Sequence, residues 1–216
     1  MNTDLSTLRF IDKPKGITSH NVIRKLKKEY PKGTKLGHAG TLDPNATGLM
    51  IVGVDAGTKL LRHFLGSDKE YVAEIMLGTK TDSGDSTGVI VETSTPKPHT
   101  GEEIQKVLDD MIGPLRLSVS KFSAKKIGGK RAYELARRGV DMPTILQDMD
   151  VREAELLETH SVSENPKLTV RFVVSSGSYI RSIAEELAKR LGTIGTLTEL
   201  RRTKIGDITI DQAEML

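Results

Sequence analysis

Apolar positions along the chain recur with two periods, and each change of period marks a new element. In ITSHNVIRKLKKEY, Val22, Ile23 and Leu26 form an apolar stripe at helical spacing, with Thr18 or Ser19 where an N-cap is needed. LRFIDK before it reads as a short strand. Residues 49–54 are a nearly continuous apolar run of strand length, and DAGTKLLRHF reads as helical. Tyr71, Ala73, Ile75 and Leu77 alternate with Val72, Glu74 and Met76, as in a strand buried largely on both faces. Residues 102–111 predict a helix, 115–119 a strand and 132–138 a short helix. The last third is clearer. Residues 167–175 alternate as a strand, and 179–191 place Ile180, Ile183, Ala184, Leu187 and Leu191 on one helical face, with Gly192 as the C-cap. LTELRRTKIGDITI predicts further strand.

Between these segments, GTKTDSGDSTG at 78–88 has the Gly, Asp and Ser density of a turn-rich loop, and ETSTPKPHTGEE at 92–103 is linker-like. The chain contains neither internal repeats nor the regular βαβ rhythm of a Rossmann sheet. The expected class is α+β, a mixed α/β fold around a mixed sheet.

Composition narrows the chemistry. The 216 residues can bury a sizeable core, and 37% hydrophobic with 28% charged residues suits a globular protein. No segment is apolar enough over ~18–20 residues to span a membrane, and MNTDLSTLRF carries no signal pattern, so a cytoplasmic protein is expected. With no cysteine, thiolate catalysis, disulfides and cysteine-held metals are excluded. Five histidines lie scattered without HxH or HExxH spacing, so no metal site is expected. The chemistry falls to carboxylates, hydroxyls, phenols and basic groups. The net charge of +3 hides segregation: 24–35 holds six basic residues against Glu29, and 121–138 holds seven against Glu134, while 148–158 holds five acids against Arg152. Such a basic face suits a polyanion such as nucleic acid.

One loop concentrates polar side chains. GHAGTLDPNATGLM at 37–50 sets Asp43 directly before Pro44, among Gly40, Asn45 and Gly48. On its own this is turn chemistry. It satisfies neither GxxxxGK[ST] nor GxGxxG, so it is not a nucleotide-phosphate loop of either kind.

The loop belongs, however, to an ordered series: FIDKPKGITSHNVI (10–23), GHAGTLDPNATGLMIV (37–52), GTKLL (57–61), KEYVAEIMLGTKTDSGDSTG (69–88), SAKKIGGKRAYELARRG (123–139), and GSYIRSIAEELAKRLG with LTELRRTKIG (177–206). In these six blocks the sequence resembles the bacterial-type tRNA pseudouridine synthases of the TruB family. The resemblance implies the pseudouridine synthase catalytic fold, with a central, mostly antiparallel mixed sheet flanked by helices and loops around an RNA-binding cleft. It implies isomerisation of the T-loop uridine of tRNA, uridine 55, to pseudouridine. The base leaves C1′ through N1 and returns through C5, with no redox change and hence no cofactor.

By the same resemblance Asp43 matches the catalytic aspartate, acting as a nucleophile at C1′ or C6 or as the base that takes the 2′-proton, the last being the route favoured. Arg181 matches its ion-pair partner. Tyr71 matches the tyrosine that stacks on the target base, and base stacking returns ~1–3 kcal/mol towards the cost of flipping a base. Tyr179 and Leu200 match residues lining the uracil site, and His38 matches a histidine that fills the space left by flipped nucleotides. Lys125, Lys126, Lys130 and Arg131 fall in an insertion of about 118–148 that closes over the T-arm, and with Lys13, Arg201 and Arg202 are expected to contact RNA phosphates; Lys204 is a weaker candidate. The expected partner is the T-arm stem-loop, without metal or membrane, and the protein is expected to be a monomer. The expected organisation is a single catalytic domain over 1–216 without a C-terminal PUA lobe. Two departures stand out: SVSKFSAKK lacks the Pro-Pro pair usual before the fifth block, and the text stops at ITIDQAEML where relatives commonly continue. A noncatalytic RNA-binding or tRNA-folding module is the alternative, and a member of the guide-RNA-directed branch a third reading.

Overall fold

The computed structural model describes residues 7–121, 126–127, 130–131, 143–160 and 166–216. The chain divides into two compact units, Met1–Val72 with Leu200–Leu216, and Ala73–Glu199.

In the first unit a central strand, β3 (Thr47–Val54), carries the architecture. Its residues Leu49–Val52 are all fully buried, as the continuous apolar run requires. β1 (Leu8–Lys13) pairs with it antiparallel from Leu8↔Gly53 to Lys13↔Gly48. On β1's other edge lies the parallel β14 (Glu214–Met215). β2 (Leu36–His38) is antiparallel to β3, with His38 opposite Val52. β12 (Gly195–Ile205) enters this unit at Leu200 and runs parallel to the start of β3, with Arg201 opposite Thr47 and Arg202 opposite Gly48. β13 (Ile208–Thr209) folds back on β12 after Gly206. Leu8, Ala39, Leu49, Ile51, Leu61, Ile205 and Ile208 close the core. Helix α1 (Ser19–Leu26) begins where its sequence predicts: Thr18 Oγ1 accepts from Asn21 N–H, and Val22, Ile23 and Leu26 are buried. DAGTKLLRHF is helical only in pieces, a 3₁₀ turn over Asp55–Lys59 and the short α2 (Leu61–Leu65).

In the second unit the order is β4 (Lys69–Leu77), β11 (Lys167–Val174), β10 (Ile145–His160) and β7 (Gly113–Val119), with β10 antiparallel to both neighbours. In β4 the face carrying Tyr71, Ala73, Ile75 and Leu77 is buried; the other is half-buried rather than buried, which corrects the two-faced expectation. The 16-residue β10 has no counterpart in the sequence reading. Its buried Met149, Val151 and Ala154 fall out of phase at a bulge between Val151 and Glu153, which breaks the period of two in a segment already rich in acids. The turn-rich text at 78–88 closes a hairpin of β5 (Thr79–Thr81) and β6 (Ile90–Thr93). The linker-like text ends in helix α3 (Gly101–Asp109), held by a reciprocal capping box between Thr100 and Glu103. Helix α4 (Ile180–Arg190) buries Ile180, Ile183, Ala184 and Leu187 as expected, and Gly192 follows it at φ 75°. The expected helix at 132–138 lies outside the described residues.

Candidate active site

The loop that carries Asp43 connects β2 to β3, two antiparallel strands of one hairpin. Ala46 N–H donates to Asp43 C=O at 3.1 Å, so Asp43-Pro44-Asn45-Ala46 is a β-turn with proline at its second position. The turn is then fastened to the segment between β1 and α1. Gly16 N–H donates to Pro44 C=O at 2.8 Å, and Ser19 Oγ both accepts from Leu42 N–H at 2.9 Å and donates to Leu42 C=O at 3.0 Å. Asp43 itself is half-buried. Backbone bonds at Leu42, Asp43 and Pro44 thus hold the turn from which its carboxylate projects.

Two residues expected on RNA phosphates belong to this support instead. Lys13 is 0% exposed and its ammonium donates to Ile17 C=O at 2.8 Å, Pro14 C=O at 3.0 Å and Pro44 C=O at 3.1 Å. Arg202 is 1% exposed; its Nε donates to Leu49 C=O at 2.8 Å and Nη2 to Gly40 C=O at 3.2 Å. Burial removes both from an RNA surface, and Arg202 staples the loop at its entry and its exit. Burial also pushes the Lys13 ammonium down to about 8, an effect that the Asp43 carboxylate opposes and the Arg202 charge reinforces. Gly48, opposite Arg202, has φ 101°, and a Cβ there would run into the Arg202 backbone. Arg201 is half-buried and forked onto Asp12 at 2.7 and 3.1 Å, so its guanidinium is engaged within the protein. Lys204 is half-buried on the same strand.

His38 stands at the end of β2, with its Nδ1 buried and lacking a hydrogen-bond partner among the described residues. Its pKa is lowered, first by burial, with a backbone hydrogen bond at Gly40 opposing and the Arg202 and His20 charges reinforcing. A ring with a pKa below that of the unfolded chain binds fewer protons when folded, so stability falls as pH drops below about 6.5. Equilibrium unfolding at pH 7 and pH 5 is expected to show a smaller pH-dependent loss for His38→Asn than for the natural chain. Tyr71 is buried on β4, and Leu200 is half-buried on β12, where its carbonyl accepts from Thr47 Oγ1 at 3.5 Å.

In the second unit Arg181 lies in the first turn of α4, 7% exposed. Its Nη1 donates to Ser83 C=O at 2.9 Å and lies 3.6 Å from the Asp85 carboxylate. Asp85 is positioned in turn by the 82–88 loop: its Oδ1 accepts from Thr87 N–H and Ser83 Oγ, each at 2.9 Å, and from the Thr87 hydroxyl. Tyr179 caps α4, half-buried, with its N–H directed at Met149 Sδ at 3.3 Å. Ser83 and Asp85 were missed by sequence reasoning because Gly, Asp and Ser in a loop read as turn formers; the clue is that DSGDST offers more side-chain acceptors than one turn needs. Lys126, Lys130 and Arg131 lie on two short paired strands, β8 (Lys126–Ile127) and β9 (Lys130–Arg131). Lys125 lies outside the described residues. Among the described residues no cluster of three His, Cys, Asp or Glu could hold a metal, and no helix is long and apolar enough to cross a membrane.

Comparison with known proteins gives this arrangement its class. Residues 25–180 match the family described as TruB family pseudouridylate synthase (N terminal domain). The chain is 40% identical over 214 residues to tRNA pseudouridine synthase B of Corynebacterium aurimucosum, covering 98% of this chain and 71% of that protein. It is 37% identical over 206 residues to the protein of the same description from Mycobacterium tuberculosis, covering 95% and 69%. Among solved structures, a chain in a Cbf5-Nop10-Gar1 complex aligns with a TM-score of 0.70 at 26% identity. A chain in an H/ACA RNP bound to a substrate RNA containing 2′-deoxyuridine aligns with a TM-score of 0.68 at 25%. The match covers 97% and 96% of this chain, but only about half of those chains, 52% and 50%. The chain belongs to the TruB family of pseudouridylate synthases. That membership makes it a catalytic pseudouridine synthase rather than a noncatalytic RNA-binding module, on a mixed α/β fold whose strand pairings are mostly antiparallel.

Proposed function

We propose that the chain isomerises the T-loop uridine of tRNA, uridine 55, to pseudouridine, working as a cytoplasmic monomer on the T-arm stem-loop. The observation that carries the reading is the backbone-fastened turn that presents Asp43 within a GHAGTLDPNATG loop matching the family's catalytic segment. Asp43 works on the flipped nucleoside, by adding to C1′ or C6 or by taking the 2′-proton towards a glycal. Arg181 is assigned the role of the arginine that the family resemblance sets beside that aspartate. Tyr71 stacks on the uracil, Tyr179 and Leu200 line its site, and His38 occupies the space that the nucleotide vacates. A His38 ring kept neutral suits that role, because it needs no counter-charge when it enters a base stack. The N1–C1′ bond breaks, the C5–C1′ bond forms, the C5 proton goes to water and N1 gains one, so atoms balance without cofactor or metal. Residues 1–216 act as one catalytic domain whose insertion at about 118–148 closes over the T-arm through Lys125, Lys126, Lys130 and Arg131.

A T-arm hairpin carrying 5-tritiated uridine only at position 55 tests this. One equivalent of tritium per hairpin is expected in water, and none when the label is placed at another uridine; release from other positions alone would overturn the assignment. With the same hairpin Tyr71→Ala is expected to slow turnover by about 5- to 150-fold, the equivalent of the ~1–3 kcal/mol that one stacked base returns. A rate within twofold of the natural chain would remove Tyr71 from the site.

A further inference from the structure

Of the two basic stretches, only 121–138 is given a role by the resemblance; the other, 24–35, is left without one. Its six cations, Arg24, Lys25, Lys27, Lys28, Lys32 and Lys35, are all exposed. None makes an ion pair among the described residues. The one acid in the stretch, Glu29, is drawn off to Arg9 at 2.6 Å, so its charge is compensated from β1. Six like charges are therefore left facing solvent on the end of α1 and the segment leading to β2. Keeping them there disfavours folding by mutual repulsion, since at ordinary ionic strength screening acts only beyond about 8–10 Å. Arg24, Lys25, Lys27 and Lys28 interact favourably with the C-terminal ends of α1 and of the 3₁₀ turn Lys27–Glu29 that continues it, but Lys32 and Lys35 lie past both, where the dipole offers nothing.

The placement matters as much as the charge. The ridge precedes the loop of Asp43 in the chain, and the segment carrying it is tied to that loop's hairpin at both ends. At one end α1 starts from Ser19, which is bonded twice to Leu42. At the other, Lys35 is locked to β3's exit by Lys35 N–H donating to Asp55 Oδ1 and Asp55 N–H to Lys35 C=O, both at 2.8 Å, and β2 leads from there into His38 and the loop. The ridge is thus rigidly joined to the segment that carries the carboxylate.

We propose that this ridge is a second RNA-contact surface, taking phosphates of the substrate while the Asp43 loop takes the target nucleoside. The assignment rests on the RNA-modifying reading above. Charge complementarity selects a polyanion, and a fixed ridge of point charges joined to the catalytic loop fits a backbone held in register with a bound nucleoside. Anionic lipid shares the charge, and the test includes it.

The test compares Lys25→Gln/Lys28→Gln/Lys35→Gln with a control of equal charge change on other exposed lysines, Lys97→Gln/Lys106→Gln/Lys189→Gln. Binding to an unmodified tRNA transcript is measured from about 50 to 300 mM salt, together with single-turnover tritium release at saturating RNA. Each lost phosphate contact removes roughly 0.7–0.9 from the slope of log K against log salt, so the ridge variant is expected to lose about 2–3 and to bind about tenfold or more weakly at low salt. Its saturated rate constant and the control variant's binding stay within about twofold of the natural chain. Equal affinity and slope for ridge and control variants would overturn the proposal, as would loss of binding only to vesicles containing phosphatidylserine. If the natural chain binds RNA through the ridge but releases no tritium, the isomerase reading fails while the ridge stands; if it turns over and the ridge variant binds normally, only the ridge fails.

Discussion

Asp43→Asn is expected to lower the single-turnover rate of pseudouridine formation by more than about 10³-fold while changing RNA affinity by less than about fivefold. Removing a positioned proton acceptor costs about 10²–10⁴ in rate, and removing a nucleophile removes the step altogether. Asparagine keeps the shape and the turn: the fastening contacts are made by the backbone of Leu42, Asp43 and Pro44, which the substitution leaves in place. The comparison therefore separates the charge from the loop. Tritium release at saturating hairpin reads the rate and filter binding reads the affinity. Activity within tenfold of the natural chain would show that the carboxylate is not the reacting group, whatever the loop's shape.

The same loop shows what could be read from the text and what could not. That Asp43-Pro44 makes a turn was legible, because proline fixes its own φ and short polar residues surround it. The expectation that the turn serves chemistry rests on the ordered blocks alone, since nothing in the local pattern distinguishes this aspartate from an ordinary turn former. Elements with an unbroken period, α1, β3 and α4, were legible for the same reason that they pack: one face meets the core. β10 was not, because a bulge resets its phase after Val151 and its outward positions are acidic. Least legible were Lys13 and Arg202. A basic residue in a basic protein reads as surface, and only burial with carbonyl partners distant in sequence, Pro44 for one, Gly40 and Leu49 for the other, turns the reading inward. Asp85 was hidden in the opposite way, as one polar loop residue among many.

Arg202→Met should destabilise the chain by about 2–5 kcal/mol, because the carbonyls of Gly40 and Leu49 each lose a charged donor in a buried setting, at about 1–3 kcal/mol per unmet group. For a chain of this size that corresponds to a fall of roughly 5–20 °C in Tm. Below that temperature the protein is folded but the hairpin loop is no longer stapled across its two ends, and a 1 Å error in the placement of Asp43 costs about 10²-fold in rate. The loss should therefore lie in the saturated rate constant, with RNA affinity nearly kept, since Arg202 is too buried to meet a phosphate. Arg202→Lys keeps the charge but replaces a planar fork with one ammonium, and should recover part of the stability and less of the rate. The His38 ring supplies an independent reading: the Arg202 charge helps to lower its pKa, so in the folded Met variant the ring should titrate at higher pH than in the natural chain, measured by NMR of its carbon-bound protons. An unchanged His38 titration with a full rate constant would show that Arg202 supports the core without positioning the loop. A raised titration with a lost rate constant would tie the buried guanidinium, the His38 ring and the Asp43 carboxylate to one piece of backbone.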